Sequence, residues 1–384
     1  MRVGILCHPT FGGSGVVAAE CALSLAQRGH RVHLFSPGVP PRLAKDAGEV
    51  VLHRVHGLDY PLFASSHDEL AATGAVLDVI AAEGLDVLHA HYALPHAVSA
   101  HLACEAARAT DANTEPRLVI TLHGTDVTLV AAAPAYGPLL RYVLGRADAV
   151  TAVSDDLSTR LRAWWGDAAG EVQTLPNFVD TEHFAPSAPR SPGPLRAIHV
   201  SNFRPLKRVP WLIEAFARAK AEAERERSAA DQAATAGAEL TLIGEGPDLP
   251  RCRELAAELG VEHAVHFLGE RRELPALLAA HDAFLLTSRE ESFGLSALEA
   301  SACGLGVLAT RVGGLLEVIE DGAGGRLIDA DDQAAFTSEL CSWIADPDLA
   351  HTYGRSGRAR AVADFGREAG VDRYEALYRR LLSR

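Results

Sequence analysis

Lysine is nearly missing from this chain. Of its 36 basic residues only Lys45, Lys207 and Lys220 are lysines, so a lysine beside a motif carries more information than usual. Cysteine is sparse as well, and the six (positions 7, 21, 104, 252, 303 and 341) show no paired spacing. That argues against a zinc site or a disulfide framework and for a reducing, cytoplasmic setting. No apolar run reaches the ~18 residues that a membrane span needs. Met1 to Cys7 reads as a short strand without the pattern of a secretory signal. An excess of positive charge is absent too: 50 acidic against 36 basic residues give a net charge of −14. This disfavours nucleic acid as a partner and gives no bulk attraction to an anionic membrane. The catalytic signatures of other classes are also missing. There is no nucleophile elbow, no H-E-x-x-H, no G-x-x-x-x-G-K-[ST] and no metal-spaced cluster.

What is present is a long alternation of strand and helix. With 384 residues, 48% apolar and 22% charged, the chain suits two domains. Arg2 to Cys7 predicts a strand, followed by the turn His8 to Gly15, a helix to about Arg28 and a strand from Arg31 to Phe35. Strand, glycine loop, helix and strand make a βαβ unit whose loop N–H groups can approach an anion. The loop is not G-x-G-x-x-G, and no acidic residue ends the second strand, which counts against a dinucleotide site. Further strands are expected at 50–55, 86–90, 117–122, 149–153 and 171–175, with helices at 67–82, 94–107 and 136–144. Asp155 is expected to cap the helix after Ser154. Thr181 to Pro194, rich in proline and serine, reads as an interdomain linker. The pattern then restarts, with strands at 195–200, 240–243, 263–268, 283–286, 307–310 and 325–328. Ala221 to Ala238 reads as a helix extension plus a flexible insertion. Two doubly wound parallel α/β sheets follow from this rhythm.

The stretch Ser288 to Cys303 holds the most unusual feature. It turns through Phe293 and Gly294 into a helix whose Leu295, Leu298 and Ala302 mark a buried stripe, with Glu299 at the same phase. A carboxylate on such a stripe is costly unless it meets a partner or a ligand. Glu291 lies eight residues earlier, before the helix start. From the residues alone, a surface cap and a salt bridge explain this pair as well as a ligand does. Other strand ends carry His91, Tyr92, His123, Thr125, Arg204, Lys207 and Gly244. Arg204 and Lys207 can neutralise a phosphate near a helix N-terminus. His89, His91 and His96 fit strand ends and a helix face better than a metal site.

Together these blocks resemble retaining glycosyltransferases of family four. Glu291 and Glu299 match the family's E-x7-E as E-S-F-G-L-S-A-L-E. Gly12-Gly13 with Gly15, H-G-T-D at His123, Arg204 with Lys207, and V-G-G-L-L-E-V-I from Val312 are further landmarks. P-T-F-G-G-S-G-V-V-A, H-Y-A-L-P-H-A-V and H-V-S-N-F-R-P-L-K-R-V-P are similar to the malate-using group within it. The resemblance implies a GT-B fold, two Rossmann-like domains facing across a cleft. It puts the acceptor domain at 1–180, with the final helix, about 366–384, packed back on it, and the donor domain at 181–365.

The resemblance also implies transfer of N-acetylglucosamine from UDP-GlcNAc to the hydroxyl of L-malate, the first step of bacillithiol biosynthesis, without metal or cofactor. Donor residues would be Gly13, Ser14, Gly15, Arg204, Lys207, Gly244, Glu291, Phe293, Gly294, Leu295 and Glu299. His123, Glu291, Arg204 and Lys207 would act at the reacting centre. Ser14, Tyr92, Thr125 and Arg141 would take the acceptor. An inositol phosphate, lipid or polysaccharide acceptor stays open, as do an epimerase, a nucleotide-sugar sensor and a homo-oligomer.

Overall fold

Short runs of valine, leucine and isoleucine, covered on both faces, build two parallel sheets. The computed structural model describes all residues except 11–12, 44–47, 60–66, 111–114, 131–132, 167–170, 188–192 and 227–236. The chain divides into two units, Met1–Asn177 with Glu368–Arg384, and Phe178–Arg367.

The first unit contains β1 (Arg2–Leu6), β2 (Arg31–Ser36), β3 (Val51–Arg54), β4 (Val87–His91), β5 (Arg117–Leu122), β6 (Ala149–Ala152) and β7 (Val172–Thr174). Between them run α1 (Gly13–Gln27), α2 (Asp68–Ala82), α3 (Val98–Ala109), α4 (Gly137–Leu144) and α5 (Asp155–Trp165). The sheet order is β3-β2-β1-β4-β5-β6-β7. The chain's last helix, Arg367–Leu382, packs in this unit from Glu368 onward. Arg28 donates to Asp372 (2.6 Å) and Glu375 (3.0 Å) on that helix. The Arg28–Asp372 pair, exposed on its acidic side, contributes at most about 1 kcal/mol. Tyr374 and Tyr378, both fully buried, dominate the docking, since a large buried side chain is worth about 1.5–3 kcal/mol.

The second unit contains β8 (Arg196–Val200), β9 (Glu239–Ile243), β10 (Val265–Gly269), β11 (Ala283–Leu286), β12 (Gly306–Thr310) and β13 (Gly325–Ile328). Its helices are α6 (Val209–Glu226), α7 (Leu249–Glu258), α8 (Leu274–Ala279), α9 (Leu295–Ala302), α10 (Leu315–Val318), α11 (Gln333–Ala345) and α12 (Pro347–Phe365). The helix Arg367–Leu382 becomes α13. The order β10-β9-β8-β11-β12-β13 repeats the first sheet's logic. In both sheets the winding reverses beside the first strand, between β1 and β4 and between β8 and β11. Ligands bind outside the carboxyl ends of strands at such points.

Four local expectations change. The helix expected from Leu94 opens as a wide turn, Ala93–Ala97, with Leu94 extended at φ −120° and ψ 128°. Pro95 has no N–H to give and pushes the preceding residue out of helical space. Ser154, not Asp155, caps α5: its Oγ accepts from the Leu157 N–H at 3.1 Å. The start of the expected linker is anchored, because Phe184 is buried and Arg358 donates to the carbonyls of Thr181 (2.9 Å) and Phe184 (2.7 Å). On α9 the stripe widens: Ala297 through Ala302 are all buried, while Leu295 is only half-buried. Gly12, the 188–192 part of the linker and the 227–236 insertion lie outside the described residues.

Candidate active site

At the reversal point of the second sheet, the loops after β8 and β11 meet through charge. Lys207 ends a single 3₁₀ turn, Pro205–Lys207, that Arg204 precedes. Its Nζ donates to Glu291 Oε1, and the Ser288 hydroxyl donates to the same oxygen at 2.7 Å. Both side chains of the ion pair are mostly covered, at 15% and 11% exposure. The backbone is fastened as well. Thr287 Oγ1 donates to the Lys207 carbonyl (3.0 Å), and the Arg289 N–H donates to the Leu206 carbonyl (2.9 Å). Arg208, in the left-handed region at φ 51°, donates to the carbonyls of Thr287 (2.8 Å) and Ala330 (2.6 Å). Arg204 is exposed, and among the described residues nothing accepts from its guanidinium.

Gly244 supports this arrangement from the next strand end. Its φ is 127°, and a Cβ there would lie 1.8 Å from the Ser201 carbonyl oxygen. Only glycine lets the loop after β9 approach the loop after β8 so closely. His199, inside β8, bridges the Leu285 carbonyl (2.8 Å) and the Ser201 hydroxyl (2.7 Å). Burial, with Lys207 nearby, pushes it down to about 4, so it is neutral.

Gly294, at φ 91°, precedes α9. The first N–H groups of a helix have no intrahelical acceptor and favour negative charge or sugar oxygens. Phe293 is buried and packs edge-on against Phe365, with ring centroids 5.8 Å apart. Gly314 donates its N–H to the Glu291 carbonyl at 2.9 Å. Glu299, 7% exposed, lies on the same helix.

Apart from the buried carboxyl group of Asp126, the reversal point of the first sheet is built from neutral groups. Gly15 lies in the first turn of α1, where a Cβ would sit 2.4 Å from the His8 carbonyl oxygen. Gly13 is exposed and Ser14 half-buried beside it. Tyr92 follows β4 in an uncommon backbone conformation, φ 84°, and its hydroxyl bonds Thr125 Oγ1. His91 Nδ1 and His123 Nε2 are hydrogen-bonded at 3.1 Å. Burial pushes His123 down to about 3, with His8 adding to the effect, and holds His91 well below the usual imidazole range. Arg141 joins a different neighbour: it donates to the Trp164 carbonyl (2.9 Å) and lies over that ring at 4.4 Å.

Asp126 is the residue that sequence reasoning missed. It is fully buried and accepts from the N–H groups of Ala93 (3.2 Å), His123 (3.2 Å) and Gly124 (2.8 Å). One carboxylate thus ties the Tyr92 loop to the His123 loop. Its place at the end of H-G-T-D was the available signal. Ser288, Thr287 and Arg208 were missed as well: Thr287 and Arg208 donate to main-chain carbonyls 80 and 79 residues away, and Ser288 acts by donating to the Glu291 side chain.

The residues 11–183 match the model of Glycosyltransferase Family 4, and 180–360 match that of Glycosyl transferases group 1. N-acetyl-alpha-D-glucosaminyl L-malate synthase of Bacillus anthracis is 35% identical over 98% of this chain and 96% of its own length. This chain belongs to glycosyltransferase family four. The D-inositol 3-phosphate glycosyltransferase of Geodermatophilus obscurus is 32% identical, covering 96% of this chain and 84% of that protein. Among solved structures, sucrose-phosphate synthase of Thermosynechococcus elongatus aligns with a TM-score of 0.78 at 23% identity, over 100% of this chain and 99% of that one. Anabaena HepE in complex with UDP-glucose aligns with a TM-score of 0.77 at 20% identity, over 98% and 99%. The fold is GT-B, and the chain is a glycosyltransferase. Among the described residues no helix is long and apolar enough to cross a membrane.

Proposed function

We propose that this glycosyltransferase moves N-acetylglucosamine from UDP-GlcNAc to the hydroxyl of L-malate with retention of the α configuration, in the cytoplasm. The observation that carries the donor half is the Lys207–Glu291 pair at the reversal point, with the Arg204 guanidinium beside it in sequence. The near-full-length likeness to the malate synthase supports the acceptor.

In this reading Arg204 and Lys207 face the diphosphate, supplying the positive charge that a metal ion would otherwise bring. Glu291 turns to the sugar's hydroxyls, with the N–H groups of Phe293, Gly294 and Leu295. Glu299 holds the ribose, and Gly13, Ser14 and Gly15 lend N–H groups to the phosphates. Gly244 keeps the phosphate loop in place. The bond from sugar C1 to the phosphate oxygen breaks as C1 bonds the malate hydroxyl oxygen. The hydroxyl proton passes to the leaving diphosphate, so no carboxylate acts as base. His123 touches the transferred sugar. Ser14, Tyr92 and Thr125 offer hydroxyls to the malate carboxylates, and Arg141 reaches them only by leaving Trp164.

An inositol phosphate acceptor is the second reading, favoured by the likeness to the inositol 3-phosphate enzyme. Incubation with UDP-GlcNAc and either L-malate or inositol 3-phosphate, with mass and anomeric NMR of the product, separates the two. The proposal predicts an α-linked N-acetylglucosaminyl malate. A product only with inositol 3-phosphate, or UDP release that needs no acceptor, overturns it.

A further inference from the structure

Glu291 has one carboxylate oxygen held twice and one left open. Oε1 accepts from both Lys207 Nζ and the Ser288 hydroxyl, the latter at 2.7 Å. Oε2 accepts from no described residue, and it is not buried. A carboxylate has no proton to give, so the Ser288 hydroxyl is the donor in its bond. The two holds differ in stiffness. Lys207 carries its charge on a flexible four-carbon stem, and in the proposed reaction it faces the diphosphate. Ser288 is fully buried, and a single side-chain torsion places its oxygen. Its main chain is fastened on both sides. Thr310 Oγ1 donates to the Ser288 carbonyl at 2.5 Å, and the preceding carbonyl, that of Thr287, accepts from Arg208 at 2.8 Å. The Ser288 hydroxyl has no other partner among the described residues.

We infer that Ser288 is a positioning residue: it anchors Glu291 by Oε1 and so presents Oε2 to the transferred sugar once Lys207 faces the diphosphate. The inference rests on the proposed placing of Glu291 against the sugar's hydroxyls. A carboxylate tied by one oxygen keeps the lone pairs of the other at a fixed place, which sugar hydroxyls on a rigid ring require. When the donor draws Lys207 away, the Ser288 bond is the one that remains on Glu291. Without it the carboxylate would turn about its own side-chain torsions, and binding would have to order it again.

The test is calorimetric titration of the full-length chain with UDP and with UDP-GlcNAc. Ser288→Ala should bind UDP within about twofold of the wild type and UDP-GlcNAc about tenfold more weakly, the effect of losing one hydrogen bond to a charged group. The unchanged UDP affinity also reports that the donor loops are folded. A merely structural role would weaken both ligands alike. In a Glu291→Ala background, Ser288→Ala should change UDP-GlcNAc affinity by less than about twofold, because the group it acts through is gone. Wild-type UDP-GlcNAc affinity in Ser288→Ala, equal weakening towards UDP and UDP-GlcNAc, or the same loss with and without Glu291 overturns the inference. Failure of the underlying reading looks different: Glu291→Ala by itself binds UDP-GlcNAc as tightly as the wild type.

Discussion

Both units wind their strands in the same order, yet the two reversal points have opposite chemistry. In the second unit Lys207 and Glu291 form an ion pair, and Arg204 stands exposed nearby. In the first unit His91 and His123 are hydrogen-bonded and neutral, and Tyr92 meets Thr125 through hydroxyls. Under the proposed function, the difference follows from what the diphosphate and the sugar each ask of the main side chains that meet them. A diphosphate must be held, and its growing charge on departure must be stabilised, which needs cations. The transferred sugar is uncharged and needs donors and acceptors at fixed positions. Buried neutral histidines supply these without a competing charge, at the expense of stability in acid.

The largest expected effect comes from breaking the charged side. Glu291→Gln should lower transfer by about a thousandfold while the circular dichroism spectrum stays that of the folded protein. Full turnover in this variant would remove Glu291 from the donor site. On the neutral side, His123→Ala should lower kcat about a hundredfold, with little change in KM for UDP-GlcNAc. A matching rise in KM would mean that the two units do not divide the work.

Acid should separate the units next. Burial pushes His89, His96 and His123 down to about 3 in the first unit; in the second unit, His199 falls to about 4. An unfolded chain takes up protons on these rings below pH 6.5, while the folded unit stays neutral. The unfolded state therefore binds more protons there, and stability falls as pH drops from 6.5 towards the folded values. Each such ring costs on the order of 1 kcal/mol per pH unit in that window. Hydrogen exchange at pH 7 and pH 5 should show protection lost first in β4 and β5. Earlier loss in β8 and β11 would contradict this.

Asp126→Asn gives a smaller effect and localises it. The buried N–H groups of Ala93, His123 and Gly124 would face an amide, at about 1–3 kcal/mol. Denaturant unfolding monitored in each unit should register that loss in the first unit alone.

The strands were legible because parallel strands buried on both faces read as unbroken apolar runs. Arg117–Leu122, Ala283–Leu286 and Gly325–Ile328 lie where the sequence puts them. The charged landmarks were legible as well, since Glu291, Arg204 and Lys207 sit at strand ends in distinct motifs. What escaped depends on tertiary contacts. The grip of Asp126 on Ala93 and the bond from His91 to His123 each cross about thirty residues, and no local pattern encodes them. Phe184 anchors the start of a proline- and serine-rich run, and Pro95 broke a helix that apolar spacing favoured, both overriding the period.

The division of labour is tested most directly by titrating UDP into the wild type, Arg204→Ala and His123→Ala in a calorimeter. The account predicts that His123→Ala binds UDP within about twofold of the wild type, while Arg204→Ala, having lost a charge-assisted contact to the diphosphate, binds about tenfold or more weakly. Equal weakening in both variants, or none in Arg204→Ala, would contradict it.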